Sequence, residues 1–257
     1  SRWCWTSLII CNLVALTLLA SWLWQPTRQL WDLLDVQLFR LLNVSLSTSP
    51  TWAHIWAFGN MRPVDIGVGI ILLGIIVKGD WIFSGTQVRR ALFAFLSILL
   101  LLLLIRTGFV ELVKIMHWQR ASPSLTVDGA VRLTKMFPDW QAHWYLKDSA
   151  KKSFPGDHAS VLLLWAMLIS MHTRGRQLFL IWFLTAIFLL PRLVSGAHWA
   201  SDAFVGGLFV TLIAFGWGFY SPYAAKTSDL LERLSAPAMQ GLSKLPGLGR
   251  ISLISGH

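Results

Sequence analysis

The sequence predicts an all-α membrane protein, a six-transmembrane-helix bundle with an amphipathic helix lying at the interface. Three observations carry that expectation. Of 257 residues, 55% are hydrophobic and 13% charged, with mean hydropathy +0.58, against about 45–50% apolar and roughly 25% charged in soluble domains. The apolar residues gather into runs close to the length of about 20 that crosses a bilayer. Many of the fifteen Trp residues, among them Trp3, Trp5, Trp22, Trp24, Trp52, Trp56, Trp81, Trp199 and Trp217, stand at the ends of those runs, as an interfacial aromatic belt does.

The runs place helices near 3–24, 62–78, 88–112, 159–173, 177–194 and 202–220. The first lacks a small-x-small cleavage signal and reads as an uncleaved anchor. Between the first and second, residues 27–46 put Leu30, Leu34 and Leu41 on one helical face and Arg28, Asp32, Asp35 and Asn43 on the other, the pattern of a helix lying on the outer leaflet. A second short helix over 48–61 leads to Asn60, Arg62 and Asp65, which read as capping and snorkelling residues or as headgroup contacts. Residues 118–157 form a long polar loop with Lys135, Lys147, Lys151 and Lys152, and loops of that length are often lids or binding elements. Gly206, Gly207, Gly216 and Gly218 on the sixth span permit close helix packing. One transmembrane domain over 1–221 and a cytoplasmic membrane-surface tail over 222–257, with Lys226, Arg233, Lys244 and Arg250, complete the chain.

The net charge of +10 does not point to nucleic acid, because the basic residues sit in short segments between apolar runs. Lys78, Arg89 and Arg90 in one loop and Arg174 and Arg176 in another mark the cytoplasmic side, which puts both termini there. Cys4 and Cys11 lie seven positions apart, about 10 Å along a helix and beyond the roughly 4.4–6.8 Å that a disulfide needs. They read as packing residues.

Six spans with this orientation bring three polar clusters to the opposite face, which in a bacterium is the periplasmic one. The most specific is Arg192-x5-His198-x3-Asp202, wedged between two apolar runs where charge is costly. Ser195 caps the helix expected to start there, and Asp202 follows His198 by one turn. An Asp that takes the Nδ1 proton leaves Nε2 free to attack phosphorus. Arg192 offers a planar fork to phosphoryl oxygens. The second cluster is Ser153-Phe154-Pro155-Gly156-Asp157-His158, in which His158 suits a general acid, Gly156 admits close backbone approach and Ser153 donates a hydroxyl. The third pairs Lys114 with Arg120, although Lys114 also stands three residues after Glu111 and could simply pair with it. Arg106, inside the third span, reads as snorkelling outward. His54, His117, His143 and His172 read as packed or solvated. Two His and an Asp could hold a metal, but the surrounding Arg residues would repel one, so no metal or cofactor is expected.

These blocks resemble the type 2 phosphatidic acid phosphatase (PAP2) superfamily, with its pattern Lys-x6-Arg-Pro, Pro-Ser-Gly-His and Ser-Arg-x5-His-x3-Asp. The resemblance covers 114–202 by motif. It implies that Arg120, Arg192 and Lys114 bind phosphate, that His158 is the acid, that His198 is the nucleophile supported by Asp202, and that catalysis needs no metal. The departures are specific. Lys114 is six rather than seven positions before Arg120, with Val113 at the usual place; Ala121, Gly156-Asp157 and Pro191 replace Pro, Ser-Gly and Ser. Within the superfamily these stretches are similar to the branch that moves phosphate from undecaprenyl diphosphate to the 1-phosphate of lipid A. That likeness implies polyprenyl diphosphate and anionic lipid substrates, membrane lipids around the bundle, and no nucleic acid. A phosphatase that uses water on undecaprenyl diphosphate, phosphatidylglycerophosphate or phosphatidate is the alternative. A non-enzymatic lipid transporter is a third, though no inverted repeat supports it.

Overall fold

A computed structural model describes residues 3–243, and among them every regular element is helical. In chain order these are α1 (Trp5–Leu23), α2 (Gln25–Val44), α3 (Pro50–Gly59), α4 (Arg62–Val77) and α5 (Gly85–Ile115). Three short helices follow in the polar loop, α6 (Pro123–Thr126), α7 (Leu133–Met136) and α8 (Pro138–Trp144). Then come α9 (Asp157–Ser170), α10 (Arg176–Val194), α11 (Leu208–Phe219), which continues a π-helical segment over Asp202–Gly207, and α12 (Tyr223–Ser243). The protein is a membrane protein: α1, α5, α10 and the segment Asp202–Phe219 are long and apolar enough to cross a bilayer, and α9 is a shorter apolar helix.

The boundaries follow from local chemistry. A capping box between Ser84 and Gln87 opens α5. Its 31 residues extend about 46 Å, well beyond the roughly 30 Å of hydrocarbon in a bilayer. Proline in the first turn starts α2, α3 and α4. Gly196, at φ 76°, ends α10. The N–H of Gly196 reaches the Leu193 carbonyl at 3.2 Å and that of Ala197 reaches the Arg192 carbonyl at 3.0 Å, a Schellman stop.

The continuation into α11 is the hub of the bundle, packed on α1, α5, α9 and α12. Its glycines serve contacts inside the fold. A Cβ at Gly206 would lie 2.8 Å from Pro155, one at Gly216 would lie 3.0 Å from Cys11, and one at Gly218 would lie 2.8 Å from Ile98. The main core runs from Trp22 and Leu72 through Ile98, Leu102, Trp165 and Phe215.

The helix α2 matches the amphipathic segment expected over 27–46, and the leucine face points away from the protein: Leu30, Leu34 and Leu41 are all exposed. The polar face is divided: Asp32 stays half exposed, and Asp35 and Asn43 turn inward. Asp35, Phe39 and Asn43, at four-residue spacing, are buried against the bundle. Asn43 gives hydrogen bonds to the carbonyls of Val131 and Val194 and accepts one from the Val131 N–H, tying α2 to both the polar loop and the end of α10. That loop has its own staple, for the buried Asp148 carboxylate takes Arg132, the Thr134 hydroxyl and the Thr134 N–H. The tail expected over 222–257 begins as α12; its Lys244 and Arg250 lie outside the described residues.

Candidate active site

The Schellman stop of α10 sets the position of His198. Its N–H, like that of Ala197, points at the Arg192 carbonyl, at 3.2 Å. Ser195 therefore does not cap the next helix, as its spacing suggested. It is the C-cap of α10, and its hydroxyl faces the Asn60 side chain at 3.2 Å. The next helix is capped instead by Asp202, whose Oδ2 accepts the Trp199 N–H at 2.9 Å. The reason is the left-handed Gly196: once it turns the chain, His198 falls in the turn between helices and Trp199 becomes the first residue needing an acceptor.

That turn fixes the imidazole. Nδ1 lies 3.0 Å from the Ser153 carbonyl and 3.5 Å from Asp202 Oδ2. A carbonyl can only accept, so Nδ1 carries the proton and, when the ring is neutral, Nε2 holds the lone pair. Nε2 has no hydrogen-bond partner and faces Asp157 Oδ1 at 3.4 Å. Burial works against a charged ring, but the Asp157 and Asp202 carboxylates outweigh it and hold the His198 pKa above the ordinary imidazole value.

Behind the ring lies a tightly bonded acidic cluster. Arg120 donates to Asp202 Oδ1 from Nε at 3.1 Å and from Nη2 at 2.8 Å, and to the Ser201 hydroxyl at 2.5 Å, while its Nη1 lies 3.0 Å from Asp35 and 3.7 Å from Asp32. Asp35 also accepts the Ser201 N–H at 2.8 Å and hydroxyl at 2.6 Å. Burial raises the Asp35 carboxyl above its usual range, against the pull of Arg120 and the Ser201 bonds. Trp22 and Trp199 wall this cluster, with the Arg120 guanidinium 5.4 and 5.2 Å from their rings, and Trp22 stacks on Phe154 at 4.2 Å. These two tryptophans, which by position in the sequence belonged to the interfacial belt, are 1% and 8% exposed, whereas Trp24 and Trp52 are exposed as a belt requires.

Arg192 is bonded too. It donates to the Asn60 carbonyl at 3.2 Å and side-chain oxygen at 3.0 Å, and it pairs with Asp65. Asn60 and Asp65, which read as capping or headgroup residues, are thus the dock for Arg192. Gly156 packs flat on the Asp202 backbone: its N–H reaches the Asp202 carbonyl at 2.9 Å, and a Cβ would sit 2.9 Å from that oxygen. Ser153 contributes its carbonyl to His198 and turns its hydroxyl to the Arg120 carbonyl at 3.2 Å.

The structure therefore brings Arg120, Ser153, Gly156, Asp157, Arg192, His198 and Asp202 together. His158 opens α9 beside them, its Nε2 3.2 Å from the Phe188 carbonyl, on the wall of an apolar cavity of about 260 Å³ that also includes Trp56, Asp65 and Pro191. A second cavity of about 360 Å³ reaches the cluster from the α2 side, at Asp32, Asp35, Arg120 and Trp199. Lys114 is not brought in. It pairs with Glu111 on an exposed turn, and among the described residues no contact joins it to the cluster. Arg106 does not merely snorkel; its Nη2 lies 3.8 Å from Asp157 Oδ2.

A histidine held by a carbonyl and a carboxylate, with Arg120 on the far side of that carboxylate and Arg106 and Lys147 on the carboxylate facing Nε2, suits phosphoryl-transfer chemistry. The profile of the PAP2 superfamily matches residues 92–226, more than half of the chain, and the chain belongs to that superfamily. It is 26% identical over 226 residues to lipid A 1-diphosphate synthase of Escherichia coli (strain K12), a match covering 88% of this chain and 92% of that protein. No solved structure matches the chain significantly. The protein is accordingly an enzyme of PAP2 phosphatase/phosphotransferase type, and the transporter reading falls away.

Proposed function

We propose that this enzyme transfers a phosphate from undecaprenyl diphosphate to the 1-phosphate of lipid A through a phosphohistidine on His198, releasing undecaprenyl phosphate. The observation that carries the reading is the imidazole whose Nδ1 is committed to a carbonyl and whose Nε2 is unpartnered. Nε2 attacks the terminal phosphorus, and Asp202 and the Ser153 carbonyl hold the ring as charge develops on it. Arg120 and Arg192, each held in its own ion pair, lend positive charge to a phosphate cradle shaped by Gly156 and Ser153, and His158 serves as acid where a leaving oxygen needs a proton. Phosphoryl transfer asks mainly for positioning and charge stabilisation, which these groups supply without a metal. The 260 Å³ apolar cavity beside His158 suits the first isoprene units of the donor.

In this reading the chain crosses the inner membrane six times, with α4 and α9 completing the set, both termini cytoplasmic and the cluster facing the periplasm. The similarity to the Escherichia coli enzyme supports lipid A as acceptor. A second reading, hydrolysis, has its own support: Asp157, which faces Nε2, is 41% exposed, so water has a path to the phosphohistidine.

Purified protein given undecaprenyl diphosphate, with and without lipid A, and followed by mass spectrometry of both lipids separates the two. The transferase gains about 80 Da, one phosphate, on lipid A. Equal release of free phosphate with and without lipid A, and no gain on lipid A, makes it a phosphatase. His198→Ala removes the nucleophile and is expected to lower either activity by about 10³-fold or more; normal turnover in a well-expressed variant rejects the phosphohistidine.

A further inference from the structure

We propose that Arg106 and Lys147 form a second phosphate subsite beside His198, which holds the phosphomonoester that leaves the donor and then the phosphomonoester that accepts. Two cations converge there on one carboxylate. Lys147 Nζ lies 3.7 Å and Arg106 Nη2 3.8 Å from the same oxygen, Asp157 Oδ2, while the other oxygen lies 3.4 Å from His198 Nε2. All three distances exceed the roughly 2.7–2.9 Å of a charge-assisted hydrogen bond. The one hydrogen bond of this carboxylate is to the N–H of His158, which Oδ1 accepts at 2.8 Å, so the Asp157 side chain stands where an anion belongs without bonding either cation.

Other cations of the site are already committed. Arg120 spends its guanidinium on Asp202, Asp35 and Ser201, and Arg192 on Asn60 and Asp65. Arg106 and Lys147 share Asp157, and Arg106 Nε is buried without a hydrogen-bond partner. An arginine on a membrane helix is costly and calls for a function that repays it. One half-open carboxylate, divided between two cations, is weak compensation. A phosphate, with three terminal oxygens in place of two, can displace Asp157 and bond to both cations.

The chemistry gives this subsite two uses in one cycle. In the first half-reaction the Nε2 lone pair forms the N–P bond to the terminal phosphorus as the bond from that phosphorus to the bridging oxygen breaks. The electron pair leaves on the bridging oxygen, which becomes a terminal oxygen of the prenyl phosphate and meets Arg106 and Lys147. A phosphomonoester has its second pKa near 6, so it departs as a dianion without taking a proton. In the second half-reaction an oxygen of the acceptor's phosphomonoester, seated in the same place, forms the new P–O bond while the N–P electron pair returns to Nε2. Water brings no phosphate to fill the subsite and must lose a proton besides. The pair of cations thereby favours transfer to a phosphate over hydrolysis.

Its role in turnover rests on the transferase reading, but its affinity for anions does not. The test is calorimetric titration of the full-length protein in detergent with inorganic diphosphate and, separately, with orthophosphate. The wild type is expected to bind diphosphate about tenfold more tightly than orthophosphate. Arg106→Gln and Lys147→Gln should each weaken diphosphate about tenfold and orthophosphate less than twofold, and Arg106→Lys should recover part of the loss. Thermal melting confirms that each variant is folded, and Lys147→Gln, in the polar loop, decides the matter if Arg106→Gln is not. Unchanged diphosphate affinity in the folded variants, or equal weakening of both anions, overturns the subsite. Diphosphate binding through Arg106 and Lys147 in a protein that moves no phosphate rejects the transferase and keeps the subsite. Transfer that persists with unchanged diphosphate binding does the reverse.

Discussion

The two sides of His198 are built on different terms. On the Asp202 side, the buried Asp202, Asp35 and Ser201 are joined to the mostly buried Arg120 and to one another by contacts of 2.5–3.1 Å. On the Asp157 side, the carboxylate accepts the His158 N–H at 2.8 Å, but the side chains of His198, Lys147 and Arg106 stand 3.4 to 3.8 Å from it and it is 41% exposed. Charges are dense on both, yet only one side is arranged to be held still. A buried carboxylate with every lone pair engaged fixes geometry, because moving it would strand several partners at once. A half-exposed carboxylate at long range can be replaced by a larger anion at small cost. Under the proposed function, the difference separates the groups that aim the imidazole from those that make room for substrate.

Breaking the fixed side should have the largest effect. Asp35→Ala leaves Arg120 and Ser201 without their main acceptor on α2 and is expected to destabilise the fold by about 3–5 kcal/mol, measured as a shift of the unfolding transition in mixed micelles. Asp35→Asn keeps one acceptor oxygen and should lose less. A neutral outcome for Asp35→Ala would mean that α2 is bound by its other contacts alone.

The loose side is probed by pH. Nucleophilic attack needs Nε2 unprotonated, and the carboxylates raise the folded His198 pKa. Activity at subsaturating substrate should therefore be lost as pH falls through a limb lying above the ordinary histidine value of about 6.5. For stability the sign is opposite: the ion pairs of the charged ring are fully present below the unfolded pKa and fade as pH rises through the raised folded one. Asp157→Asn removes one of the two carboxylates that raise the His198 pKa, so the kcat/KM limb should move to lower pH. A limb that stays in place would show that Asp202 alone sets it.

The smallest effect is expected outside both sides. Lys114→Ala breaks an exposed pair with Glu111 and should change stability by less than about 0.5 kcal/mol and activity by less than twofold. A large loss of phosphate affinity would place Lys114 in the site after all, as the family pattern implies.

The Arg192, His198 and Asp202 block and the Gly156-Asp157-His158 turn were legible because their spacing within one segment already demands a polar purpose between apolar runs. Six of the expected segments also correspond to helices, since hydropathy and length are local properties. Asp35 was not legible. Its periodicity put it on the polar face of α2, and a polar face normally meets water. Here the leucine face of the same helix is exposed, and Asp35 and Asn43 of the polar face turn inward, Asp35 onto Arg120. Asn60 and Asp65 were noticed as polar residues at a helix entry, but nothing near them in the chain names Arg192, more than 120 positions away. Arg106 was read as snorkelling for the same reason, as its partner Asp157 sits on another helix.

The sequence by itself determined that the chain is a helical membrane protein, where its apolar helices run, and which residue types carry phosphate chemistry. The tertiary structure decided which charges are spent on one another and which remain for a ligand. Hydropathy and capping act within a few residues of where they are read, whereas ion pairs form between whichever side chains the bundle brings within about 4 Å. That is why His198 could be picked out from its own segment, while the fixed and open sides around it appear only once α2, α5 and the polar loop close over the end of α10.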